Sequence, residues 1–324
     1  MSAVTKHERP GVYSSYEASS LTAAAMGGGN VAVVAAAAGE NLEKSYQWTS
    51  YSRAVSDVGD CALSRLTQAA IRNGAGVVYG IPAGTQYEDA FAVMAALEDV
   101  SIVVCDSTDL AVQQKLRDSV ESASAARRER IAVVQGAAGE TVSQLVKRAE
   151  AVNSERVVLI APGGAGGGLA AAAAAGAIAG ENDPAVPLGG AVLRGLEELG
   201  QNYGDSEIDL LVRGGVTPLE QMGGQVSVVR GVTTRTKSGE AADATWRELT
   251  TIRIVDDVVP AVRNALRAKF RRAKNTEQSR GAIRSQVVLE LENKLAREII
   301  TGYDGVRVAA DTENPTVCLV DFSF

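Results

Sequence analysis

The sequence has very few of the residues on which catalysis and metal binding usually depend. Its 324 residues include a single histidine, His7, and three cysteines, Cys61, Cys105 and Cys318. A serine hydrolase needs a base, usually histidine, held by a carboxylate, and we interpret His7 as a solvated residue of a chain end. The cysteines have neither the spacing of zinc ligands nor the even number of a disulfide framework. The sequence therefore predicts no catalytic residues, no metal site, no cofactor and a reducing, intracellular origin.

Aromatic residues are also scarce, at 4% of a chain that is 46% hydrophobic. Alanine, valine and glycine supply most of the apolar surface, which favours close packing of helices on a sheet. The net charge of −7 argues against nucleic-acid binding as the main activity. The uncharged run 161–180 is long enough to span a membrane. It consists mostly of alanine and glycine, which are weakly apolar, and glycine weakens helices, so we predict no membrane insertion.

The first part of the chain alternates apolar runs with helical patterns. Predicted strands cover residues 31–37, 76–81, 101–105, 130–135 and 156–161. Predicted helices cover residues 61–73, 87–97, 108–126, 141–151 and 169–180. Continuous apolar strands alternating with helices of about a dozen residues predict an α/β fold with a doubly wound parallel sheet.

A glycine-rich loop at residues 163–168 follows the last of these strands and precedes a helix. This arrangement can bind phosphate at the helix N-terminus. No lysine follows the glycines as in a P-loop, and the loop is not on the first strand as in a dinucleotide fingerprint. We interpret the loop as a flexible or closely packed turn. A nucleotide-binding α/β enzyme that uses this loop remains the alternative function.

The rest of the chain predicts a mixed helix and strand region. A short helix at residues 205–212 precedes a hairpin around Gly223 and Gly224, whose second strand extends to Thr236. Two long helices follow at residues 257–272 and 279–300, and two strands at residues 303–310 and 316–324. We expect Asp257 to cap the first long helix, with Pro260 in its first turn.

The first long helix carries a basic stripe. Residues 263–284 contain eight basic residues and one acid, a net charge of +7 in a chain of −7. Arg263, Arg267, Arg271 and Lys274 are spaced to share one face of the helix. The stripe is either a solvated helix face or the contact surface for an acidic partner.

Three segments between residues 214 and 257 resemble the C-terminal domain of contractile tail sheath proteins. They read, in order, GGVTPLE, VSVVRGVTTRT and TWRELTTIRIVDD. The opening RPGVY resembles the N-terminal arm of the same family, and the helix at residues 169–180 resembles the small-residue helix of its subtilisin-like domain. Sheath proteins form the outer cylinder of myophage tails, R-type bacteriocins and related injection machines.

The resemblance implies four parts. They are an N-terminal arm (1–20), a subtilisin-like α/β domain without a catalytic triad (21–190), a sheath C-terminal α+β domain (191–315) and a terminal strand (316–324). It implies a structural subunit, not an enzyme, that forms helically stacked hexameric rings around an inner tube. Contraction of the sheath would drive the tube through a target envelope. A non-contractile shell protein that assembles with itself is a third alternative.

The resemblance also implies partners and a location. The partners are other copies of the chain, the inner tail tube protein, and baseplate and tail terminator proteins, with no nucleic acid. Assembly would take place in the bacterial cytoplasm, and the product would be a virion tail or a phage-tail-like particle. The type of particle stays open.

Two sets of contact residues follow from the resemblance. The arms are expected to exchange strands between subunits, through Arg9, Pro10, Gly11, Val12 and Tyr13 at one end and Val317, Cys318, Leu319, Val320 and Phe322 at the other. The residues expected to face the tube are Arg263, Arg267, Lys269, Arg271, Arg272 and Lys274.

Overall fold

The structure is a computed structural model. It describes residues 29–38, 42–84, 86–164, 167–239, 241–270, 273–313 and 317–324. Several residues singled out from the sequence lie outside these ranges, namely His7, the arm residues 9–13, Gly166, Arg271 and Arg272.

A nine-stranded sheet lies at the centre of the described chain. Its strands are β1 (Asn30–Ala36), β2 (Tyr46–Trp48), β3 (Val78–Ala83), β4 (Val100–Cys105), β5 (Ile131–Gln135), β6 (Val157–Ala161), β7 (Val192–Leu193), β8 (Thr217–Met222) and β9 (Gln225–Val228). Their order across the sheet is β2-β3-β1-β4-β5-β6-β8-β9-β7. The run from β3 to β8 is parallel, whereas β2, β9 and β7 pair antiparallel. The predicted mixed α/β fold with a mostly parallel sheet is confirmed.

Helices cover both faces of this sheet. The helices are α1 (Tyr51–Val58), α2 (Ala62–Arg72), α3 (Tyr87–Ala96), α4 (Leu110–Ala125), α5 (Val142–Val152), α6 (Leu169–Gly180), α7 (Asp205–Arg213), α8 (Leu249–Phe270) and α9 (Glu277–Ala296). One core lies under α1, α2, α6 and the start of α8, and a second lies under α3, α4, α5 and α7. Along β1, Val31 and Val33 enter the first core and Ala32 and Val34 the second. Burial on both faces explains why these strands read as continuous apolar runs.

The small-residue helix α6 packs directly on the backbone of α2. A Cβ atom at Gly176 would lie 2.2 Å from the carbonyl oxygen of Ala70, so only glycine permits this approach. Residues 170–175 of α6 are all alanine and all buried. None of the described helices is long and apolar enough to cross a bilayer.

The hairpin predicted around Gly223 and Gly224 is present. Both glycines have positive φ, at 58° and 79°, as the tight turn between β8 and β9 requires. Strand β9 ends at Val228, so the expected extension of the strand to Thr236 is wrong. Strand β8 also pairs with β6, at Ile160 and Thr217, so the hairpin continues the large sheet. The domain boundaries derived from the sequence stay a prediction.

A separate core lies between α8, α9 and a second hairpin. The hairpin strands are β12 (Asp304–Ala310) and β13 (Cys318–Ser323), and a minor ribbon is formed by β10 (Lys237–Ser238) and β11 (Ala241–Ala242). The core includes Val258, Val262, Val287 and Leu291.

The predicted start of the first long helix at Asp257 is wrong. Helix α8 is continuous from Leu249, with Pro260 inside it. A proline there removes the hydrogen bond to the carbonyl of Asp256. Leu249 and Ile252 are buried against the large sheet, and Val258 and Val262 are buried against α9. Packing on both sides of the proline therefore maintains the helix despite the missing bond.

Candidate functional site

The carboxyl edge of the parallel sheet, where doubly wound folds bind ligands, is filled by a side-chain network. Arg148, only 9% exposed, pairs with Glu140 at 2.5 Å. Its Nη1 donates to the carbonyl oxygen of Thr108 at 2.9 Å and to Oε1 of Gln113 at 3.2 Å. These contacts connect the loops that follow β4 and β5, so the groups act as structural ties between loops.

Gln135, at the end of β5, extends this network to the glycine-rich loop. Its Nε2 donates to the carbonyl oxygen of Pro162 at 3.2 Å, and its Oε1 accepts from the N–H of Ala170 at 3.2 Å. Ala170 lies in the first turn of α6, the position from which a phosphate would take a hydrogen bond. That donor is already used inside the chain.

Two glycines of the loop allow a close approach to neighbouring backbone. A Cβ atom at Gly163 would lie 1.9 Å from the carbonyl oxygen of Ala137, and one at Gly168 would lie 2.8 Å from that of Cys105. The adjoining cavity of about 300 Å³ is lined by Glu198 as well as by Gly163 and Gly164. A carboxylate at the cavity repels phosphate, and this geometry does not favour the nucleotide-binding alternative.

Structural contacts at this edge also hold Asp106 and Tyr87. Asp106 accepts from the hydroxyl of Tyr87 at 2.6 Å and from the N–H of Ala36 at 2.9 Å. Burial raises the pKa of Tyr87 well above its ordinary value. Burial also raises the pKa of Cys105 to about 12, which keeps this thiol protonated and weakly nucleophilic at neutral pH. Within the described ranges, no group of three or more potential metal ligands occurs.

The structure divides the basic stripe of α8. Arg263 pairs with Glu129 at 2.8 Å, in front of β5, and Lys269 donates to Gln286 of α9 at 2.6 Å. Burial favours a raised pKa for Glu129, but hydrogen bonding and charge from Arg263 lower it overall. Arg267 and Lys274 are exposed and have no partner among the described residues.

Helix α8 is held on the amino edge of the sheet by ion pairs that sequence reasoning missed. Arg156, just before β6, forms two hydrogen bonds to Asp256, at 2.8 and 3.0 Å, and both side chains are mostly buried. Arg253 donates to the carbonyl oxygen of Glu181 at 2.8 Å. A cavity of about 440 Å³ lies between the sheet edge and this part of α8. In the sequence these residues stand out only as charged residues beside apolar strands, and this pattern does not show which residue each of them contacts.

The terminal strand β13 has a partner inside the chain. It pairs antiparallel with β12, including Leu319 with Ala309, so one of its two edges is already hydrogen-bonded within the chain. Val320 and Phe322 pack against the α8–α9 core, while Val317 and Leu319 are 40% and 45% exposed. Cys318 and Val320 line a groove of about 260 Å³ against Leu266 and Phe270. The role of these residues between subunits stays a prediction.

Two family models match the chain, and together they span most of it. The phage tail sheath protein central domain matches residues 83–234, and the phage tail sheath C-terminal domain matches residues 241–324. The chain belongs to the phage tail sheath family. This confirms the resemblance seen in the segments between residues 214 and 257.

A curated relative agrees with this family assignment. The tail sheath protein of Bacillus phage SP01 is 28% identical over 238 residues, which cover 69% of this sheath chain. The match covers only 40% of that relative. The chain thus corresponds to less than half of the length of this relative.

Solved sheath structures share the fold at low sequence identity. The sheath tail protein of Desulfitobacterium hafniense superposes with a TM-score of 0.70 at 14% identity, covering 93% of each chain. The helical sheath of the anti-feeding prophage in its contracted state gives 0.70 at 15% identity, covering 97% of this chain and 94% of that one. The sheath tail protein Lin1278 of Listeria innocua gives 0.70 at 12% identity, covering 93% and 97%. The arrangement of the large sheet and the α8–α9 unit is therefore a sheath fold.

Proposed function

We propose that this chain is the subunit of a contractile tail sheath that forms stacked hexameric rings around an inner tube. Contraction would drive the tube through a target envelope. Family membership supports this function, together with the fold shared with a helical sheath described in its contracted state. The carboxyl edge of the sheet carries structural ties between loops, which suits a subunit that stores energy in an assembly. We expect baseplate and tail terminator proteins as further partners in a virion tail or related particle.

The small sheet of β12 and β13 is the observation that best supports polymerisation of the subunit. Among the described residues each strand pairs only with the other, so each has an unpaired outer edge. Such edges accept an added strand from another chain. Each backbone hydrogen bond contributes roughly 1 kcal/mol net, so a strand of several residues provides a tether of several kcal/mol. We propose that arms containing residues 9–13 and the β13 segment exchange between neighbouring subunits at these edges.

Deletion of residues 1–20 tests this exchange. We expect the shortened protein to keep the thermal melting temperature of the full chain but to form no tubes in electron micrographs. Deletion of residues 316–324 should also abolish tubes, with a lower melting temperature because Val320 and Phe322 leave the core. Tubes of normal length from both truncated proteins would refute strand exchange.

Arg267 of α8 and Lys274, which lies beyond the end of α8 at Phe270 and so outside the predicted helical stripe, provide the proposed contact with the inner tube. Arg267 and Lys274 are the described members of the predicted set whose charge is not used inside the chain. Exposed ion pairs contribute only about 0–1 kcal/mol each. A weak contact repeated in every ring would guide assembly on the tube and still release it during contraction. Salt should weaken this contact, because screening limits its reach to about 8 Å near physiological ionic strength.

Charge reversal at these two positions separates the tube contact from sheath self-assembly. We expect Arg267→Glu with Lys274→Glu to reduce sheath assembly on purified tubes while leaving tube-free polymerisation unchanged. Arg263→Glu is the matched control for internal structure, because it breaks the pair with Glu129 and should lower the melting temperature. Unchanged assembly of the double variant on tubes would show that the stripe is a solvated helix face.

We also expect neither peptidase activity nor nucleotide binding. The reason is the tied carboxyl edge, where Gln135 already occupies the N–H of Ala170. Isothermal titration with ATP and GTP checks this expectation. Saturable binding that disappears in a Gly166→Val/Gly168→Val variant would revive the enzyme alternative.

A further inference from the structure

Four carboxylates form an exposed surface at the carboxyl edge of the large sheet. This acidic edge surface consists of Glu197, Glu198, Asp205 and Glu207, all exposed and without a cationic partner among the described residues. Glu198 lines the cavity beside Gly163, which follows β6. Asp205 and Glu207 lie in the first turn of α7, and burial followed by the charges of Glu207 and Glu140 raises the pKa of Tyr203, just before this helix, to about 12. Unbalanced negative charge therefore gathers on one end of the subunit.

The backbone under this surface is held in place. The side chain of Gln221 on β8 accepts from the N–H of Leu199 at 3.3 Å and donates to the carbonyl oxygen of Glu197 at 2.9 Å. The next residue, Met222, is 69% exposed, the most exposed large apolar side chain of the described residues. Gln221 thus fixes the backbone on both sides of Glu198, and Met222 adds an exposed apolar side chain to the same hairpin as Gln221.

The opposite charge is found on α9. Arg280 and Arg284, the α9 arginine pair, are four residues apart and so share one helix face. Arg280 donates to both the backbone and side-chain oxygens of Asn275, and Arg284 donates to the carbonyl oxygen of Val306 at 3.0 Å. These contacts orient both guanidinium groups, and no carboxylate of the described chain pairs with either.

The two charged surfaces do not pair with each other within the described chain. The ion pairs that join α8 to the large sheet are Arg156–Asp256 and Arg263–Glu129, and neither Arg280 nor Arg284 forms an ion pair with a described residue. The opposite charges on these separate elements therefore stay available for another chain.

We propose that the acidic edge surface of one subunit binds the α9 arginine pair of a second copy of the chain. Two different surfaces of one chain then meet in a head-to-tail contact, which generates rings or helical filaments. The contact rests on the proposed function, since it joins sheath subunits. It uses α9 rather than Arg267 and Lys274, which are assigned to the tube, so sheath–sheath and sheath–tube contacts divide the basic region between them.

Charge exchange tests this contact in the full-length protein without tubes. Light scattering and electron microscopy give the lowest protein concentration at which polymers form. We expect Arg280→Glu/Arg284→Glu to raise this concentration at least about tenfold, because like charges then face each other. Glu197→Lys/Glu198→Lys should do the same. The protein carrying all four changes should polymerise within about threefold of the wild-type concentration.

Two controls separate charge pairing from folding and from net charge. Arg280→Lys/Arg284→Lys keeps the positive charge and should polymerise like the wild type. Combining Arg280→Glu/Arg284→Glu with Glu43→Lys/Glu98→Lys gives the same net charge as the rescue, with lysines at exposed carboxylates outside the acidic edge surface, and should not restore polymers. The Glu197→Lys/Glu198→Lys protein changes side chains without internal contacts, so it reports on the interface even if the α9 variant fails to fold.

The outcomes also separate this proposal from the proposed function. Equal polymerisation of the wild type and the reversed variants would overturn the contact, as would rescue by the Glu43→Lys/Glu98→Lys combination. Either result would leave the sheath function standing, because polymers still form. A wild-type protein that forms no polymer at any salt concentration or with tubes would overturn both.

Discussion

Removal of Arg148 should destabilise the large sheet domain more than any exposed ion pair does. The guanidinium binds Glu140 through Nε and Nη2, Gln113 and Thr108 through Nη1, and is 9% exposed. Removing one partner of a buried pair costs about 3–5 kcal/mol, because the other charge stays buried without compensation. Each kcal/mol lowers the melting temperature of a domain of this size by about 2–4 °C. We therefore expect Arg148→Ala to melt at least about 6 °C below the wild type.

Calorimetric scans of dilute, unpolymerised protein at one scan rate measure this shift. Arg213→Ala is the matched control, since its pair with Asp209 spans 3.6 Å and both side chains are mostly exposed. It should change the melting temperature by less than about 2 °C. The double variant Arg148→Ala/Glu140→Ala should lose less than the sum of the single variants, because no unpaired charge remains. An Arg148→Ala protein that melts within 2 °C of the wild type would contradict the reasoning.

Two further predictions concern helix packing and pH. Gly176→Val should destabilise the fold by about 1–3 kcal/mol in urea titrations, because its side chain would meet the backbone of Ala70. Gly281→Ala, where nothing lies within 4 Å, should instead stabilise it by up to about 1 kcal/mol; an equal response at both glycines would refute close packing of α2 and α6. Arg263 lowers the pKa of Glu129 in the folded protein. The ionised pair therefore stabilises the fold at pH values above the ordinary carboxyl pKa, and this contribution is lost as the pH falls through the lower pKa of the folded state. Glu129→Gln should therefore be less stable at pH 7 and lose less stability on acidification to about pH 3, and parallel pH curves would refute this contribution.

Much of the α/β region was predictable because its signals are local. The observed strand β5, Ile131–Gln135, lies within the strand predicted at residues 130–135. A strand that is buried on both faces is apolar along most of its length, which makes it visible in the sequence. Helix α6 has the predicted bounds, Leu169–Gly180, because glycines flank an alanine run. The turn at Gly223 and Gly224 needs positive φ, and a pair of glycines predicts such a turn because glycine adopts positive φ readily. The short strands β2 and β7 were missed because a strand of two or three residues is too short to show an alternating pattern of apolar and polar residues.

Contacts between distant segments were decided only in the tertiary structure. The basic stripe was visible as a charge pattern, but the partner of Arg263 lies 134 residues away, and Arg156 meets Asp256 across 100 residues. Likewise, helical periodicity could not show that α8 continues through Pro260, because packing against the sheet and α9 compensates for the missing hydrogen bond. Composition and spacing therefore determined which residues form strands, helices and turns. Three-dimensional packing decided which charges neutralise each other and which stay exposed.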